Sequence, residues 1–398
     1  MILAHRIQLD PTHKQIAYFQ QACGTARFVW NWALAEWNRQ YEEGNKPNAN
    51  ELRQQFNSIK YDKFPWLRTI HRDAHSQPFA NLKNAFARFF KGIGNRPKFK
   101  CRRRSKESFY IANDRFTLKE TQIRFPIIGW IRMRQSLRFT GKIVSATVSR
   151  YADRWFVSIQ VDVGDYHKPR TGNGIVGVDL GIKTAVTLSD GEIIESPMPL
   201  RTYTRRLKLR QRSLSRRQKG SKNREKQRKR VARVHAKISS IRQDFLHKVT
   251  TQLCRENQTV VVEDLCVKGM LRNHKLARAI SDVGFGEFRR QMEYKSIIYN
   301  VKLVIADRWF PSSKKCSRCG HVKSELKLSQ RIYLCEKCGL NIDRDVNAAR
   351  NLKALCTVDF TETYARGQEG SDPATTSGRV KPCLAEPRTK PRSLVSAF

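Results

Sequence analysis

Residues 174–181 read GIVGVDLG, an apolar run that ends on the carboxylate of Asp179. A run of this length bounded by glycine predicts a buried strand, and the segment Thr184 to Leu188 predicts its hairpin partner. The runs Thr259 to Val262 and Lys302 to Ala306 predict two further buried strands, and apolar residues from Val231 to Leu253 recur at helical spacing ahead of the first of them. This alternation predicts an α/β domain that begins with the quoted stretch.

Acidic residues stand at the ends of these elements. Asp179 closes the first run, Glu263 closes the run VVVE, and Asp345 lies where DRDVNAARNL starts a predicted helix. Because open α/β sheets place their sites at the carboxyl ends of parallel strands, we expect these side chains to meet there. Carboxylate oxygens are the ligands that Mg²⁺ prefers, so Asp179, Glu263 and Asp345 form a candidate site for two Mg²⁺ ions acting on a phosphodiester.

A simpler interpretation exists for each acid taken alone. A single aspartate after a strand is more often a turn residue or a helix cap than a ligand. Asp343 and Asp345 are two residues apart, so they cannot share one helical face. We therefore expect one of them to point into the site, and the other, or Asp264, to cap a helix or face solvent.

Four cysteines form two Cys-x-x-Cys pairs, Cys316 with Cys319 and Cys335 with Cys338, separated by 15 residues. This spacing is typical of a zinc ribbon, and four thiolates fill the tetrahedral shell of a structural Zn²⁺. Unrelated cysteine pairs or redox-active dithiols are the alternatives. The other six cysteines lack metal-binding spacing.

The N-terminal half predicts a strand, then helices, then more strands. Residues 1–10 alternate apolar and polar side chains, whereas residues 15–41 and 51–91 show helical spacing with expected breaks at Pro65 and Pro78. His71 and His75 lie four residues apart, as in zinc proteases, but Arg72 stands where the catalytic glutamate is needed, so we expect a packed or surface pair. From residue 109 to residue 163 the period becomes two, which predicts a small antiparallel barrel or sheet. The N-terminal strand is expected to join it, with the helices as an insertion.

The charge of the chain indicates an acidic partner. Lys and Arg number 77 and Asp and Glu 35, which gives a formal net charge of +42. No apolar run approaches the ~20 residues of a membrane-spanning helix, and residues 1–11 lack the core of a signal peptide. We therefore expect a cytoplasmic protein with reduced cysteines, and nucleic acid is the favoured partner.

The basic residues are concentrated between residues 201 and 240, where 17 Lys or Arg accompany the single acid Glu225. A solvated helix face is the alternative, but such a face normally mixes both signs of charge. The candidate nucleic-acid contacts are Arg205, Arg206, Lys208, Arg210, Arg216, Arg217, Lys222, Arg224, Arg228 and Arg230.

Taken together, GVDLG, VVVEDL, the CSRCG and CEKCG pair and DRDVNAARNL resemble the transposon-encoded TnpB family, relatives of the type V CRISPR effectors. The resemblance covers residues 1–355. It implies an RNA-guided DNA endonuclease with a RuvC-like, RNase H-type nuclease domain, catalytic acids at Asp179, Glu263 and Asp345, and structural zinc on the four cysteines. It also implies Mg²⁺, a guide RNA from the transposon end and target DNA as cofactors and partners. A monomer is favoured.

The resemblance also implies a domain plan. Residues 1–10 with 92–165 form a β-barrel wedge domain, and residues 11–91 form a helical recognition domain. The nuclease domain comprises residues 174–310 and 343–356, and residues 311–342 form a zinc-ribbon insertion that binds the target nucleic acid. The tail, residues 357–398, is rich in Pro, Ser, Thr and Gly and is expected to be disordered.

The function implied is cleavage of double-stranded DNA next to a short target-adjacent motif, by two-metal-ion hydrolysis. Two alternatives share the same residues: a guided DNA-binding regulator without cleavage, and an RNase H-like recombinase or transposase that joins strands. The intact acids disfavour the first, and the resemblance disfavours the second, because TnpB proteins accompany a separate transposase.

Overall fold

The N-terminal half contains seven strands, numbered β1 to β7 along the chain, which form one antiparallel sheet. Their order across the sheet is β2-β6-β7-β1-β5-β4-β3. The computed structural model describes residues 1–102, 104–327 and 329–365, with side chains up to residue 356. The strands are β1 (Ile2–Asp10), β2 (Ser108–Ala112), β3 (Thr117–Lys119), β4 (Gln122–Phe125), β5 (Gly129–Met133), β6 (Lys142–Tyr151) and β7 (Arg154–Asp162). β1 lies between β7 and β5, with Ile7 opposite Val157 and Leu9 opposite Met133. The expected union of the first strand with the later ones is confirmed.

Three helices separate β1 from β2: α1 (His13–Glu42), α2 (Ala49–Lys63) and α3 (Arg72–Phe90). Pro65 opens a 3₁₀ turn (Pro65–Thr69) and breaks the helices as expected. The break expected at Pro78 is wrong, because Pro78 lies inside α3. Phe79, Leu82 and Phe86 of this helix are buried against α1 and α2, and this packing outweighs the one backbone hydrogen bond that a proline removes.

His71 fastens the helical insertion to the sheet. The hydroxyl of Tyr18 on α1 donates to His71 Nδ1 at 2.8 Å, and His71 Nε2 lies 3.1 Å from the carbonyl oxygen of Tyr110 on β2. Asp73 adds a second link, since its carboxylate accepts the backbone N–H of Ala112 at 2.8 Å. His71 and His75 are both buried, so the packed-pair interpretation is confirmed.

A second sheet has the order β10-β9-β8-β11-β12. β8, β11 and β12 are parallel, and β9 and β10 extend the sheet by antiparallel pairing. The strands are β8 (Gly174–Asp179), β9 (Thr184–Leu188), β10 (Ile193–Glu195), β11 (Asn257–Glu263) and β12 (Lys302–Ala306). The helices are α4 (Pro199–Ser215), α5 (Lys222–Glu256), α6 (Val267–Met270), α7 (Ala277–Val283), α8 (Phe285–Tyr299) and α9 (Arg344–Ala365). The predicted α/β class is confirmed.

Helices cover both faces of this sheet. Leu246, Val249 and Leu253 of α5 pack with Phe288 and Met292 of α8 in one buried cluster. On the other face α9 buries Leu352 and Cys356 against Val261 and Ala306. On this face α9 crosses the middle of the sheet, with Ala349 and Lys353 against Gly177 of β8. The first turn of α9 therefore lies at the end of β8.

Residues between β12 and α9 form a small unit around the four cysteines. Its regular structure is the hairpin β13 (Ile332–Leu334) with β14 (Asn341–Asp343) and an isolated bridge from Lys315 to Val322. Its core is small, with Tyr333 and Leu340 buried beside Cys316 and Cys335.

Helix α9 continues to Ala365, so the disorder expected from residue 357 is wrong for residues 357–365. The physical reason is composition, because this stretch contains neither proline nor glycine and the first glycine of the tail is Gly367. The rest of the predicted tail, residues 366–398, lies outside the described residues. Among the helices of the described part of the chain, none is long and apolar enough to cross a bilayer.

Candidate functional site

Two carboxylates lie side by side at the carboxyl edge of the second sheet. The parallel register of β8 and β11 places Val178 opposite Val262, so Asp179 and Glu263 are the next residues on neighbouring strands. Each follows a buried apolar run, which fixes the strand and carries the acid to its end. This is the edge at which the sequence pattern predicted that they would meet.

The first turn of α9 adds the third acid. Asp343 Oδ1 accepts the backbone N–H groups of Asp345 and Val346 at 2.8 and 3.1 Å, which is the geometry of a helix cap. Asp345 lies 3.7 Å from Arg331 and 3.3 Å from Arg344, and both aspartates act on Asp179 electrostatically, Asp345 more strongly than Asp343. Of the two aspartates, Asp343 therefore takes the capping position.

Charge repulsion is concentrated on Asp179. Burial raises the pKa of this carboxyl well above its ordinary value of 3.8, and the negative charges of Glu263 and Asp345 raise it further, with Arg344 opposing them. Carboxylates that destabilise one another at a partly buried sheet edge fit a divalent cation, which would offset their repulsion. Among the described residues, the ligand oxygens of the three acids do not all lie close enough together to hold a single ion. A site for two ions is wider, so this spacing is compatible with two ions.

Ser312 is a site residue that the sequence did not reveal. Its hydroxyl donates to Glu263 Oε1 at 2.5 Å, and the serine is buried. This bond fixes one oxygen of Glu263 while leaving its other oxygen available. Asp264, the next residue, pairs with Arg308 at 2.6 Å and so is not a member of the acidic group.

Gly177 sets the distance between β8 and α9. A Cβ at this position would overlap the carbonyl oxygen of Ala349 and would lie 2.6 Å from the backbone nitrogen of Lys353. Both obstacles are backbone atoms of α9, so neither can rotate away. The glycine therefore allows the close approach that brings Asp345 to Asp179.

We expect Gly177→Ala to push α9 away from the sheet and separate Asp345 from Asp179. The activity that depends on these acids should fall sharply, with a smaller loss of thermal stability, because the displacement acts directly on the geometry of the acids. Gly174→Ala is the matched control, since its Cβ would meet only the Asn257 side chain at 3.5 Å. Equal activity of the two variants would contradict the close-packing account.

The four cysteines predicted to bind zinc converge. Their Sγ atoms all lie within 4.8 Å of one another, and the pairs Cys316–Cys338 and Cys319–Cys335 are each 3.6 Å apart. A tetrahedron with Zn–S bonds of 2.3 Å has an edge of ~3.8 Å, so the donor set fits Zn²⁺. Gly320 and Gly339, at φ +76° and +69°, turn the backbone behind each pair, and their N–H groups donate to Cys316 and Cys335.

Two asparagines of α9 hold this unit against the acids. Asn347 accepts the N–H of Ser317 at 3.0 Å and donates to the carbonyl of Lys315 at 2.7 Å. Asn351, one turn later, donates to the carbonyls of Lys315 and Ser312 at 2.6 and 2.7 Å. Because both amides are buried, the cysteine unit and the first turn of α9 are one connected structure.

The basic cluster folds as the helical hairpin α4–α5. Arg206, Arg210 and Arg230 line a cavity of about 680 Å³ between this hairpin and the β6–β7 turn. Arg205 lines a neighbouring cavity with Arg206 and Arg210. The exposed candidates outside these cavities are Lys208, Arg216, Arg217, Lys222 and Arg228.

Three of the candidate contacts have partners within the protein, and one of them, Arg230, donates to Gln227 Oε1 at 3.5 Å. Arg224 donates to the carbonyls of Leu214 and Arg217 at 2.8 and 2.7 Å, so it holds the hairpin turn. Arg228 pairs with Glu225 at 2.6 Å. Arg224 and Arg228 are therefore held more firmly by contacts within the protein than Arg230 is.

Family models match successive parts of the chain. The IS605 OrfB model, described as "Probable transposase", matches residues 158–274. A model described as "Cas12f1-like, TNB domain" matches residues 285–352, which include the four cysteines. A "Helix-turn-helix domain" model matches residues 1–46, which here form β1 and one continuous helix, α1.

Curated relatives extend over nearly the whole length. A protein of Streptomyces pristinaespiralis named "Putative RNA-guided DNA endonuclease" is 40% identical over 357 residues, 88% of each chain. InsQ of Escherichia coli K12, which carries the same description, is 32% identical over 88% of this chain and 91% of its own. The solved Cas12f1–sgRNA–target DNA complex shares the fold, with a TM-score of 0.53 at 16% identity over 85% of this chain and 83% of that one. The chain therefore belongs to the TnpB family of IS605 elements, in which these two curated relatives are named RNA-guided DNA endonucleases.

Proposed function

We propose that this chain is a Mg²⁺-dependent, RNA-guided endonuclease that cuts double-stranded DNA beside a short adjacent motif. The observation that carries the proposal is the meeting of Asp179, Glu263 and Asp345 at one sheet edge, with the pKa of Asp179 raised by burial and by the other two charges. Family membership supports the RNA-guided class, and the net charge of +42 fits a complex with RNA and DNA.

The three carboxylates would hold Mg²⁺, which when bound supplies an activated water and stabilises the leaving oxygen of the phosphodiester. The chain's own residues prepare the site. Ser312 orients Glu263, the Asp343 cap fixes the first turn of α9, and Gly177 lets that turn approach β8. Asp179 is only partly exposed, so its interaction with a bound cation would be screened less than at an open surface.

The proposal assigns the parts of the chain to separate domains. The RuvC-like nuclease unit comprises residues 174–310 and 343–356, with the zinc insertion at residues 311–342. Residues 1–10 and 92–165 form the wedge domain, and residues 11–91 form the recognition domain. The RNA would select DNA by base pairing, while the protein contacts the backbone of the duplex. We propose that target DNA is bound and cut in the bacterial cytoplasm, and that each complex contains one copy of the chain.

The guided class is tested by expressing the protein with its native flanking DNA and sequencing the RNA that co-purifies. We expect one abundant species of defined length whose end maps beside the gene and runs into flanking sequence. Heterogeneous cellular RNA that dissociates in moderate salt would contradict guidance and leave charge-driven binding.

The description "Probable transposase" keeps strand transfer as a second candidate. The same acids would serve both reactions, but the products differ. Hydrolysis leaves free 5′-phosphate and 3′-hydroxyl ends, whereas strand transfer leaves joined strands that are visible on a sequencing gel.

The seven-stranded sheet β1–β7 is called here the wedge sheet. The cavity between the α4–α5 hairpin and the β6–β7 turn of this sheet is proposed to bind RNA phosphates. Replacing Arg206, Arg210 and Arg230 with alanine should weaken RNA binding and reduce the slope of log K against log salt by about 2, at ~0.7–0.9 per phosphate contact. The matched control replaces the exposed Arg212, Lys226 and Lys229 of the same hairpin. Identical losses in both triple variants, measured by filter binding across a salt series, would show that only net charge matters.

A further inference from the structure

The segment of residues 307–312, DRWFPS, lies beside the acidic site and is called here the 307–312 loop. It leaves β12 at Ala306, which pairs with Glu263, and ends at Ser312, whose hydroxyl binds Glu263. The loop is thus fixed to the same acid at both ends.

Internal bonds hold the loop in one shape. Asp307 Oδ1 accepts the backbone N–H of Trp309 at 2.8 Å, and the Asp307 carbonyl accepts that of Phe310 at 3.1 Å. Arg308 pairs with Asp264 at 2.6 Å, and the Phe310 ring packs into the cluster beneath α9. Little backbone freedom remains around Trp309.

The Trp309 side chain has no such anchor and is 86% exposed, the highest value among the large apolar side chains of the described residues. A single exposed apolar side chain is ordinary on a protein surface. What distinguishes Trp309 is that fixed neighbours on both sides hold the largest side chain out into solvent. A rigid loop that presents an indole in this way has already lost the backbone entropy that binding would otherwise cost.

The position limits what the indole can reach. Trp309 is three residues after Ala306, a span of at most ~11 Å, and neighbouring strands lie ~5 Å apart, so its Cα lies within ~16 Å of the Cα of Glu263. Trp309 therefore lies within reach of a nucleic acid strand bound at the acids, a few nucleotides from the cut.

We propose that Trp309 stacks on an unpaired base of the DNA strand held for cleavage, a few nucleotides from the scissile phosphate. This rests on the proposed endonuclease function and names a residue that binds its substrate strand. Every base has a π-face, so a tryptophan grips a single strand without reading its sequence. That suits a nuclease in which pairing with RNA selects the target, and it would hold the phosphate at the acids.

The test compares Trp309→Ala with Trp309→Phe in the full protein–RNA complex. The alanine variant should lower kcat/KM for cleavage by ~5- to 100-fold, the equivalent of losing one base–aromatic stack, and phenylalanine should restore most of it. Trp130→Ala is the matched control, since Trp130 is 42% exposed on the wedge sheet, and it should cut like the wild type. Zinc content and melting temperature should match the wild type in all three variants.

An abasic scan separates stacking from a general structural effect. When one base near the cut is removed from the DNA, the wild type should lose activity at one or two positions, and Trp309→Ala should lose nothing further there. Additive losses at every position would overturn the proposal. So would a Trp309→Ala variant that cuts as fast as the wild type, or one that loses bound RNA while DNA cleavage per complex is unchanged.

A binding readout distinguishes this failure from failure of the proposed function. A single-stranded DNA oligonucleotide with 2-aminopurine at the position found in the scan, or at successive positions if nothing is cut, should be quenched by the wild-type complex and not by Trp309→Ala. A wild-type complex that quenches the probe but never cuts would refute the nuclease assignment alone. A complex that cuts, with equal quenching by both proteins, would refute the role of Trp309 alone.

Discussion

Replacing Asp179 with asparagine is expected to abolish DNA cleavage while leaving RNA binding nearly intact. The rate should fall by at least ~10³-fold, the equivalent of several kcal/mol of metal-ion catalysis. RNA binding should persist because Asp179 lies at the end of β8, on a different element from the α4–α5 hairpin. Single-turnover cleavage and RNA retention on the purified protein measure the two effects separately.

The same substitution should stabilise the metal-free protein at neutral pH. The folded-state pKa of Asp179 is raised above its ordinary value of 3.8, mainly by burial and then by Glu263 and Asp345. The stabilising contribution of the protonated carboxyl is therefore fully present below the unfolded-state pKa and is lost as pH rises through the folded-state pKa. At pH 7 in EDTA the wild type should melt below Asp179→Asn, and Mg²⁺ should raise the melting temperature of the wild type only.

The exposed Asp165 offers a matched control for both effects. Asp165→Asn removes the same charge and should cut DNA and melt like the wild type. Equal loss of cleavage and RNA binding in Asp179→Asn would show that Asp179 supports the fold instead of the chemistry. A lower melting temperature in EDTA would contradict the electrostatic account of the site.

Replacing Cys335 with serine is expected to release the zinc and unfold the cysteine unit. Tyr333 and Leu340 are the chief apolar residues of its core, which is too small to fold alone. Structural zinc supplies ~10–16 kcal/mol in isolated zinc-finger peptides, so little else could hold the unit together. Metal analysis should show one zinc per wild-type chain and none in the variant, with new proteolytic cuts between residues 311 and 342.

Loss of the cysteine unit should also reach the active site. Asn347 and Asn351 would lose the carbonyls of Lys315 and Ser312, and Glu263 would lose the Ser312 hydroxyl. Cleavage should therefore fall strongly in Cys335→Ser while bound RNA remains. Cys101→Ser is the control, because Cys101 is exposed between α3 and β2, far from this unit in sequence. Zinc content that is the same in wild type and Cys335→Ser would refute the ribbon.

The sheet edge was predictable because its signals are local. Ile175, Val176 and Val178 before Asp179 and three valines before Glu263 define buried strands, and parallel pairing then places the acids together. The cysteine spacing is local in the same sense. These patterns depend on the residues themselves and their neighbours in sequence, which is what a single sequence records.

The contacts that refine the site were not predictable. Ser312 and Glu263 are 49 residues apart, and Asn351 meets Ser312 across 39 residues, so neither bond has a sequence signature. The helix break predicted at Pro78 is wrong because the tertiary packing of α3 outweighs the local preference of proline to break a helix. Arg224 was grouped with the nucleic-acid contacts by charge, yet its guanidinium holds the hairpin turn.

The most direct test of the account is cleavage by the purified protein–RNA complex with exchanged targets. Two supercoiled plasmids, identical except in the segment complementary to the variable end of the RNA, are incubated with the complex and Mg²⁺. We predict that only the matched plasmid is linearised, that exchanging the RNA end exchanges the plasmid that is cut, and that Asp179→Asn cuts neither. Three results would contradict RNA-guided cleavage by these acids. They are cleavage of both plasmids, cleavage of neither plasmid by the wild type, and joined strands among the products.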